Sequence, residues 1–399
     1  MIKKIIGLII FVAILAVGFE VYLNLSHYNT EVLFQYQPEF GWSHFANKNF
    51  WYNGNLFSIN QDGFRDIDHF KEKPAGVTRI AFMSSHYLRG TNSAFENLAT
   101  TILEKDWNQN NEQKIEVFNF AIPKYNLGMA HFLIKKFSQG YGIDYFFYFL
   151  DPQKDPMAVA DNSDVINYAP RLIVDEQGLV KEKLDFEIPP SASAQYQTLK
   201  SYQFLRKTYN DFKNYLQKEE ESDLEMDSSL YKPYPEIYFD EIATSTAEIV
   251  EKMAKMMDYI IDNNQTKIYI ILSPPQHSQF FEIYEQAGNL AYFSQNNKFV
   301  DFIEKTHGLK FEVFMAETKF FISQVENNHF EPKNLGLKLN EYLSNQDRLI
   351  DISDDLLPFG DTKEANGFFH NWHRRDTGQA YFAKVLREKV LPRLLTKQN

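Results

Sequence analysis

The chain contains no cysteine. Disulfides, thiol nucleophiles and cysteine-ligated zinc are therefore excluded, and the compartment has to be read from other features. Nor does it have a basic stripe: 41 Lys and Arg stand against 53 Asp and Glu, a formal net charge of −12. Nucleic-acid binding requires positive charge gathered opposite phosphates, so a nucleic-acid partner is set aside. Internal repeats and low-complexity tracts are missing too. What remains is a globular composition, 44% hydrophobic and 24% charged, over 399 residues, enough for one large domain or two ordinary ones. Aromatic residues are abundant, 36 Phe and 23 Tyr. Much of that belongs in a core, and a surplus of Tyr and Trp near a cleft also suits stacking on sugar rings.

The first 25 residues set the compartment. Lys3 and Lys4 precede an apolar or small run from Ile5 to Phe19, then Glu20 and Val21-Tyr22-Leu23. Counted through Leu25 the segment spans a bilayer, and the two lysines orient its N-terminus towards the cytoplasm. A cleaved signal peptide, with Ala16-Val17-Gly18 as its cleavage site, is the rival reading. Both export the rest of the chain.

Residues 26 to 78 are polar and aromatic without periodicity, and read as a surface loop that extends from membrane to domain. An alternation then begins. Arg79 to Ser84 reads as a buried strand, Ala94 to Lys105 as a helix, Lys114 to Ala121 as a strand, Leu127 to Gln139 as a helix and Asp144 to Leu150 as a strand. Strands separated by single helices imply right-handed crossovers and a parallel sheet. Residues 155 to 238 break the pattern, with an amphipathic helix over Gln195 to Lys218 and an acidic run at Glu219-Glu220-Glu221, and read as an inserted lid or cap. A helix over Glu241 to Asn263 and a strand over Lys267 to Leu272 resume it. Helical stretches follow at 278 to 307 and 311 to 326, then a short strand, Arg348 to Ile352, and a closing helix, Gly378 to Leu395. The expected fold is α/β: a three-layer αβα sandwich around about five parallel strands, flavodoxin-like in outline, occupying residues 79 to 399.

The first strand ends in Ser84-Ser85-His86-Tyr87-Leu88-Arg89-Gly90. Open parallel sheets hold ligands at the carboxyl ends of their strands, so a hydroxyl there is a nucleophile if a base reaches it. The base candidates lie far along the chain, in Phe369-His370-Asn371-Trp372-His373. The plainer readings are a serine that caps the turn after its strand and a histidine packed before a helix. Gly378 lets the chain turn from His373 into the closing helix, an arrangement that aims the ring back at the sheet.

Taken together, Asn60, Gly63-Phe64-Arg65, Lys73-Pro74, Arg79-Ile80, the stretch Val117-Phe118-Asn119-Phe120-Ala121-Ile122-Pro123, and His373 with Gly378 resemble the SGNH/GDSL hydrolase superfamily, in particular its membrane-anchored bacterial branch. The resemblance implies acyl-ester chemistry at the cell envelope by an esterase or O-acyltransferase. In that reading Ser85 is the nucleophile, His373 the general base, and His370 the residue that orients it. The Ser85 amide with Asn119 or Gln153 holds the oxyanion. The envisaged partners are the membrane, an integral-membrane acyltransferase and a surface glycan, with the soluble domain periplasmic or extracellular and no cofactor.

The chain departs from the family at each catalytic block. Met83-Ser84-Ser85 stands where Gly-Asp-Ser or Gly-Ser-Ser is usual, and Lys124 falls at the second block's glycine. Asp151 or Gln153 falls at the third block's asparagine, and His370 replaces the acid. An ionised Asp151 cannot donate to an oxyanion, whereas Gln153 can. Two further readings stay open. One is a metal site from His86, His370 and His373, with His277 as a fourth ligand, since imidazole suits zinc, copper or iron. The other is a catalytically silent scaffold or carbohydrate-binding protein that uses the same cleft.

Overall fold

The computed structural model describes residues 2–26, 28, 34–52, 54–84, 88–91, 93–123, 125–150, 155–156, 159, 169–184, 200–202, 204–209, 244–272, 334–352, 355 and 376–395. They fall into two units, one of residues 1–37, 42–68 and 188–232, the other of 38–41, 69–187 and 233–399.

In the first unit, helix α1 (Ile2–Leu25) is long and apolar enough to cross a membrane: Lys4–Leu25 has a mean hydropathy of 2.6, and its residues up to Gly18 are exposed, whereas some of the last ones are partly covered and Leu23 is buried. At 1.5 Å per residue its 24 residues reach about 36 Å. Residues 34 to 58 hold two short antiparallel pairs, β1 (Phe34–Gln37) with β2 (Gly41–His44), and β3 (Asn49–Tyr52) with β4 (Asn55–Ser58). The sequence suggests a surface loop here because four-residue strands are too short to display a period of two.

The Asn60-to-Arg65 motif is a built turn in the same unit. Asn60 Oδ1 accepts the amides of Asp62 (3.1 Å) and Phe64 (2.9 Å), and its Nδ2 donates to the Ile67 carbonyl at 3.1 Å. Gly63 has φ +88°, and a Cβ there would lie 2.5 Å from Ser43 Oγ and 2.6 Å from the His44 carbonyl, so only glycine fits. The Arg65 guanidinium is buried over the Phe57 ring, 3.7 Å from its centroid.

The second unit is built on a five-stranded parallel sheet. Its elements in chain order are β5 (Val77–Met83), α2 (Ala99–Asn110), β6 (Lys114–Asn119), α3 (Leu127–Tyr141), β7 (Tyr145–Phe149), the hairpin β8 (Arg171–Val174) and β9 (Val180–Lys183), α4 (Thr244–Asp262), β10 (Lys267–Leu272), α5 (Asn334–Tyr342), β11 (Leu349–Asp351) and α6 (Asp376–Val385), which runs on to Leu395. The sheet order is β11-β10-β7-β5-β6, parallel throughout. Numbering only these five strands, this is the 2-1-3-4-5 order of a flavodoxin-like sheet, with its topological switch between β5 and β7.

Alternate strand residues, among them Ile80, Phe82, Val117, Phe147 and Ile271, pack with Leu103 and Trp107 of α2 and with Phe382, Leu386 and Val390 of the closing helix. The intervening Ala81, Met83, Phe118, Phe146, Ile268 and Ile270 are equally buried. Burial on both faces is why these strands read as continuous apolar runs without alternation.

Arg79 anchors the opposite end of β5. Fully buried, it donates through Nε to Glu116 (2.7 Å), through Nη1 to the carbonyls of Lys71 (2.9 Å) and Tyr141 (2.5 Å), and through Nη2 to those of Phe70 (2.7 Å) and Glu72 (3.1 Å). Lys73 pairs with Asp144 at 2.6 Å, and the other oxygen of that carboxylate takes the Arg79 amide at 2.8 Å. The Lys-Pro and Arg-Ile residues of the motif are thus structural here.

Helix α2 starts at Ala99, later than the expected Ala94, because Leu98 is extended (φ −68°, ψ 143°) and separates it from a 3-10 turn over Phe95–Asn97. Helix α5 was not anticipated. Of the expected insertion, the described parts are residues 155–156, 159 and 169–184, the last with the β8–β9 hairpin, and the helical residues 200–202 and 204–209, whereas the helical expectations at 278–307 and 311–326 lie outside the described residues.

Candidate functional site

The carboxyl edge at the β5–β7 switch is where an open parallel sheet holds its ligand. Here β5 is followed by Ser84, which is fully buried, and its hydroxyl accepts the Leu88 amide at 3.1 Å. Ser84 is thus the turn-capping serine. Past the end of β6, the Phe120 amide reaches the Phe82 carbonyl (2.8 Å) and the Ile122 amide reaches the Ser84 carbonyl (3.1 Å), which extends the ladder to the tip.

Asn119, at the end of β6, closes the same loop from its far side. Its Nδ2 donates to the Leu88 carbonyl at 3.0 Å and the Thr100 hydroxyl at 3.3 Å, while Oδ1 accepts the Ala121 amide at 3.1 Å. Both amide hydrogens are therefore committed to protein groups, and in this state the side chain acts as a clamp on Leu88. An oxyanion role would require it to release one. Gly90, two residues on, has φ +57° and lets the chain turn, with its carbonyl accepting the Ser93 amide at 3.0 Å.

The closing helix reaches this edge. Gln379, almost wholly buried, caps α2: its Oε1 accepts the Ala99 amide at 2.8 Å, one of the N–H groups left unpaired at a helix start. Asn97 Nδ2 donates to Asp376 Oδ2 at 2.9 Å. Tyr381 donates to the Asp355 carbonyl at 2.7 Å, and burial, aided by Asp355 and Glu388, pushes its phenol up so that it stays protonated. On the β7 side, Asp155 is fully buried and accepts the Leu127 amide and the Tyr148 hydroxyl, both at 2.7 Å. Asn126 caps α3 beside it by accepting the Met129 amide at 3.2 Å.

Of the residues singled out from sequence, Asn119 is described. Ser85, His86, Lys124, Asp151, Gln153, His277, His370 and His373 lie outside the described residues. Among the described residues no group of three His, Asp or Glu is arranged to hold a metal ion. Sequence reasoning missed Gln379, Asp155 and the capping role of Ser84. Asn126 before a helical run was the kind of N-cap signal that sequence does carry. No protein-family model matches the chain, and no curated protein matches it.

Proposed function

We propose that this chain is a membrane-anchored SGNH-like protein that acts on acyl esters of an envelope polysaccharide or lipid, with Ser85 as nucleophile and His373 as general base. The observation that carries this reading is the pair of contacts Gln379–Ala99 and Asp376–Asn97. They fasten the helix that follows His370 and His373 in the chain to the 3-10 turn and helix that follow Ser85 in the chain, although the two are about 280 residues apart in sequence. The clamps of Ser84 and Asn119 on Leu88 support it further, since they fix both flanks of the short stretch that bears Ser85.

In the reaction, Ser85 Oγ attacks the ester carbonyl carbon while His373 takes the hydroxyl proton. The tetrahedral oxyanion is held by the Ser85 amide and Gln153. Collapse expels the alcohol, protonated by His373, and leaves an acyl-serine. Water then completes hydrolysis, or a sugar hydroxyl completes transfer. His370 orients His373 as a neutral acceptor. In the finer architecture we propose a three-layer αβα sandwich, a helical insertion over 155–238, and α1 as an uncleaved anchor with its N-terminus cytoplasmic and the rest periplasmic or extracellular. An integral-membrane acyltransferase is a candidate partner.

The test is turnover of a short-chain nitrophenyl ester by the full chain. Ser85→Ala and His373→Ala should each abolish it. Activity should fall below about pH 6.5 more steeply than one titrating base allows, because a protonated His370 repels the imidazolium. His370→Asp should restore a single-proton acid limb. A second reading, a silent cleft that binds glycan, is favoured by one observation: the Asn119 amide is already engaged. Glycan binding without turnover in the wild type, unchanged in Ser85→Ala, would select it.

A further inference from the structure

Glu20 is the only acidic residue in the apolar span Lys4–Leu25. A carboxylate at the edge of a bilayer is costly unless it is hydrogen-bonded. Here Oε1 accepts the Lys200 amide at 3.0 Å and Asn24 Nδ2 at 3.1 Å, and Oε2 accepts the Ser201 amide at 2.8 Å. Lys200 Nζ reaches back to the Leu23 carbonyl at 3.4 Å. The Phe204 ring meets Phe19 edge-on, centroids 5.4 Å apart, and Tyr28 at 5.6 Å. These contacts fasten helical residues 200–202 and 204–209 to the last turns of α1.

Past the contacts, Leu205 to Tyr209 are all exposed, Leu205 by 62% and Tyr209 by 66%. Spaced four apart, those two share a helix face, and Arg206 and Lys207 lie between them in sequence. A hydrocarbon core takes about 20 helical residues, so a span that starts at Ile5 leaves it at about Asn24, where the segment is attached. At that depth an exposed Leu and Tyr flanked by two cations suit the headgroup boundary. The apolar groups enter it, the phenol sits at headgroup level, and the cations face lipid phosphates.

We propose that segment 200–209 is a second membrane contact, which lays Leu205 and Tyr209 into the headgroup boundary of the bilayer that α1 spans and sets Arg206 and Lys207 on anionic phospholipid. The proposal rests on α1 being an uncleaved anchor.

The absence of cysteine makes single labels unambiguous. The full chain is reconstituted in phosphatidylcholine bilayers with and without phosphatidylglycerol. It carries a fluorescent label at Leu205→Cys, Tyr209→Cys, the mid-span Val12→Cys or the exposed Leu337→Cys of α5, and quenching is read from lipids bearing a nitroxide near the headgroup, or for Val12 from lipids bearing it deep in the acyl chain. The labels at 205 and 209 should be quenched at least about twofold more than the one at 337. The excess should shrink in pure phosphatidylcholine and in Arg206→Glu/Lys207→Glu. Quenching at 205 and 209 no greater than at 337, with Val12 quenched, overturns the proposal and leaves the anchor standing. An excess that ignores both lipid charge and the double substitution overturns the role given to anionic phospholipid. An unquenched Val12 label removes the anchor itself, and the proposal with it.

Discussion

Replacing Asn119 with alanine separates a clamp from an oxyanion donor. The substitution removes three hydrogen bonds, to the Leu88 carbonyl, the Thr100 hydroxyl and the Ala121 amide. The residues left behind are buried. The hydroxyl rotates to a new partner, but a carbonyl and an amide are stranded at roughly 1–3 kcal/mol each, so a net loss of about 2–4 kcal/mol is expected after local relaxation. Because the bonds tie Leu88 to β6, the loss should be local before it is global. Hydrogen exchange in peptides that cover residues 88–91 and 119–123 should accelerate by about 30- to 700-fold, each 1.4 kcal/mol being a factor of ten. The unfolding midpoint should fall with it. A pure oxyanion donor behaves otherwise: turnover drops by about 10²–10³ while exchange and stability stay put. Unchanged exchange at residues 88–91 in Asn119→Ala, with ester turnover lowered by that amount, would refute the clamp.

Arg79→Met strands Glu116 and four carbonyls around a fully buried site, and should cost about 3–5 kcal/mol in a denaturant titration, with Arg79→Lys recovering only part because an ammonium cannot reach all five acceptors. Gly63→Ala should destabilise its turn by about 1–3 kcal/mol, seen as a lower melting temperature, since φ +88° and the contact with Ser43 both oppose a side chain. His131 on α3 sits with Nε2 3.0 Å from Glu182 and Nδ1 3.3 Å from Asn264. Burial holds it below its ordinary 6.5 despite the carboxylate, so the unfolded chain takes up this proton at a higher pH than the folded one. The stability it contributes is present above about pH 6.5 and is lost as pH falls through the lower folded value. The stability-against-pH slope just below 6.5 should therefore flatten in His131→Gln, and an unaltered slope would show that His131 is not the titrating group.

Much of the fold was legible because the sheet strands carry apolar runs and are followed by a helix or a break. The runs Ile80–Met83, Val117–Phe118 and Tyr145–Phe149 lie in a parallel sheet as expected, whereas the order of its strands comes from the structure alone. Elements held by polar side chains were not legible. The hairpins between Phe34 and Ser58 have strands of four residues, and the turn at Asn60 depends on one side chain collecting two amides. The site edge failed to show for the same reason. That Gln379 caps α2 and Asp155 holds the start of α3 are long-range facts, set by which side chains meet after folding. Periodicity carries no trace of them. It did carry the tip itself, where an apolar strand stops at Ser84.

The central claim is that Ser85 is a nucleophile, and the most direct measurement is the site of its covalent capture. The full chain, treated with a fluorophosphonate at neutral pH and digested, should yield one phosphonylated peptide with the adduct on Ser85. Its formation should be lost in Ser85→Ala, strongly slowed in His373→Ala, and intact in Ser84→Ala, provided that variant keeps the turn that the Ser84 hydroxyl closes. No adduct on a folded wild-type chain, or one that persists in Ser85→Ala, would contradict the account.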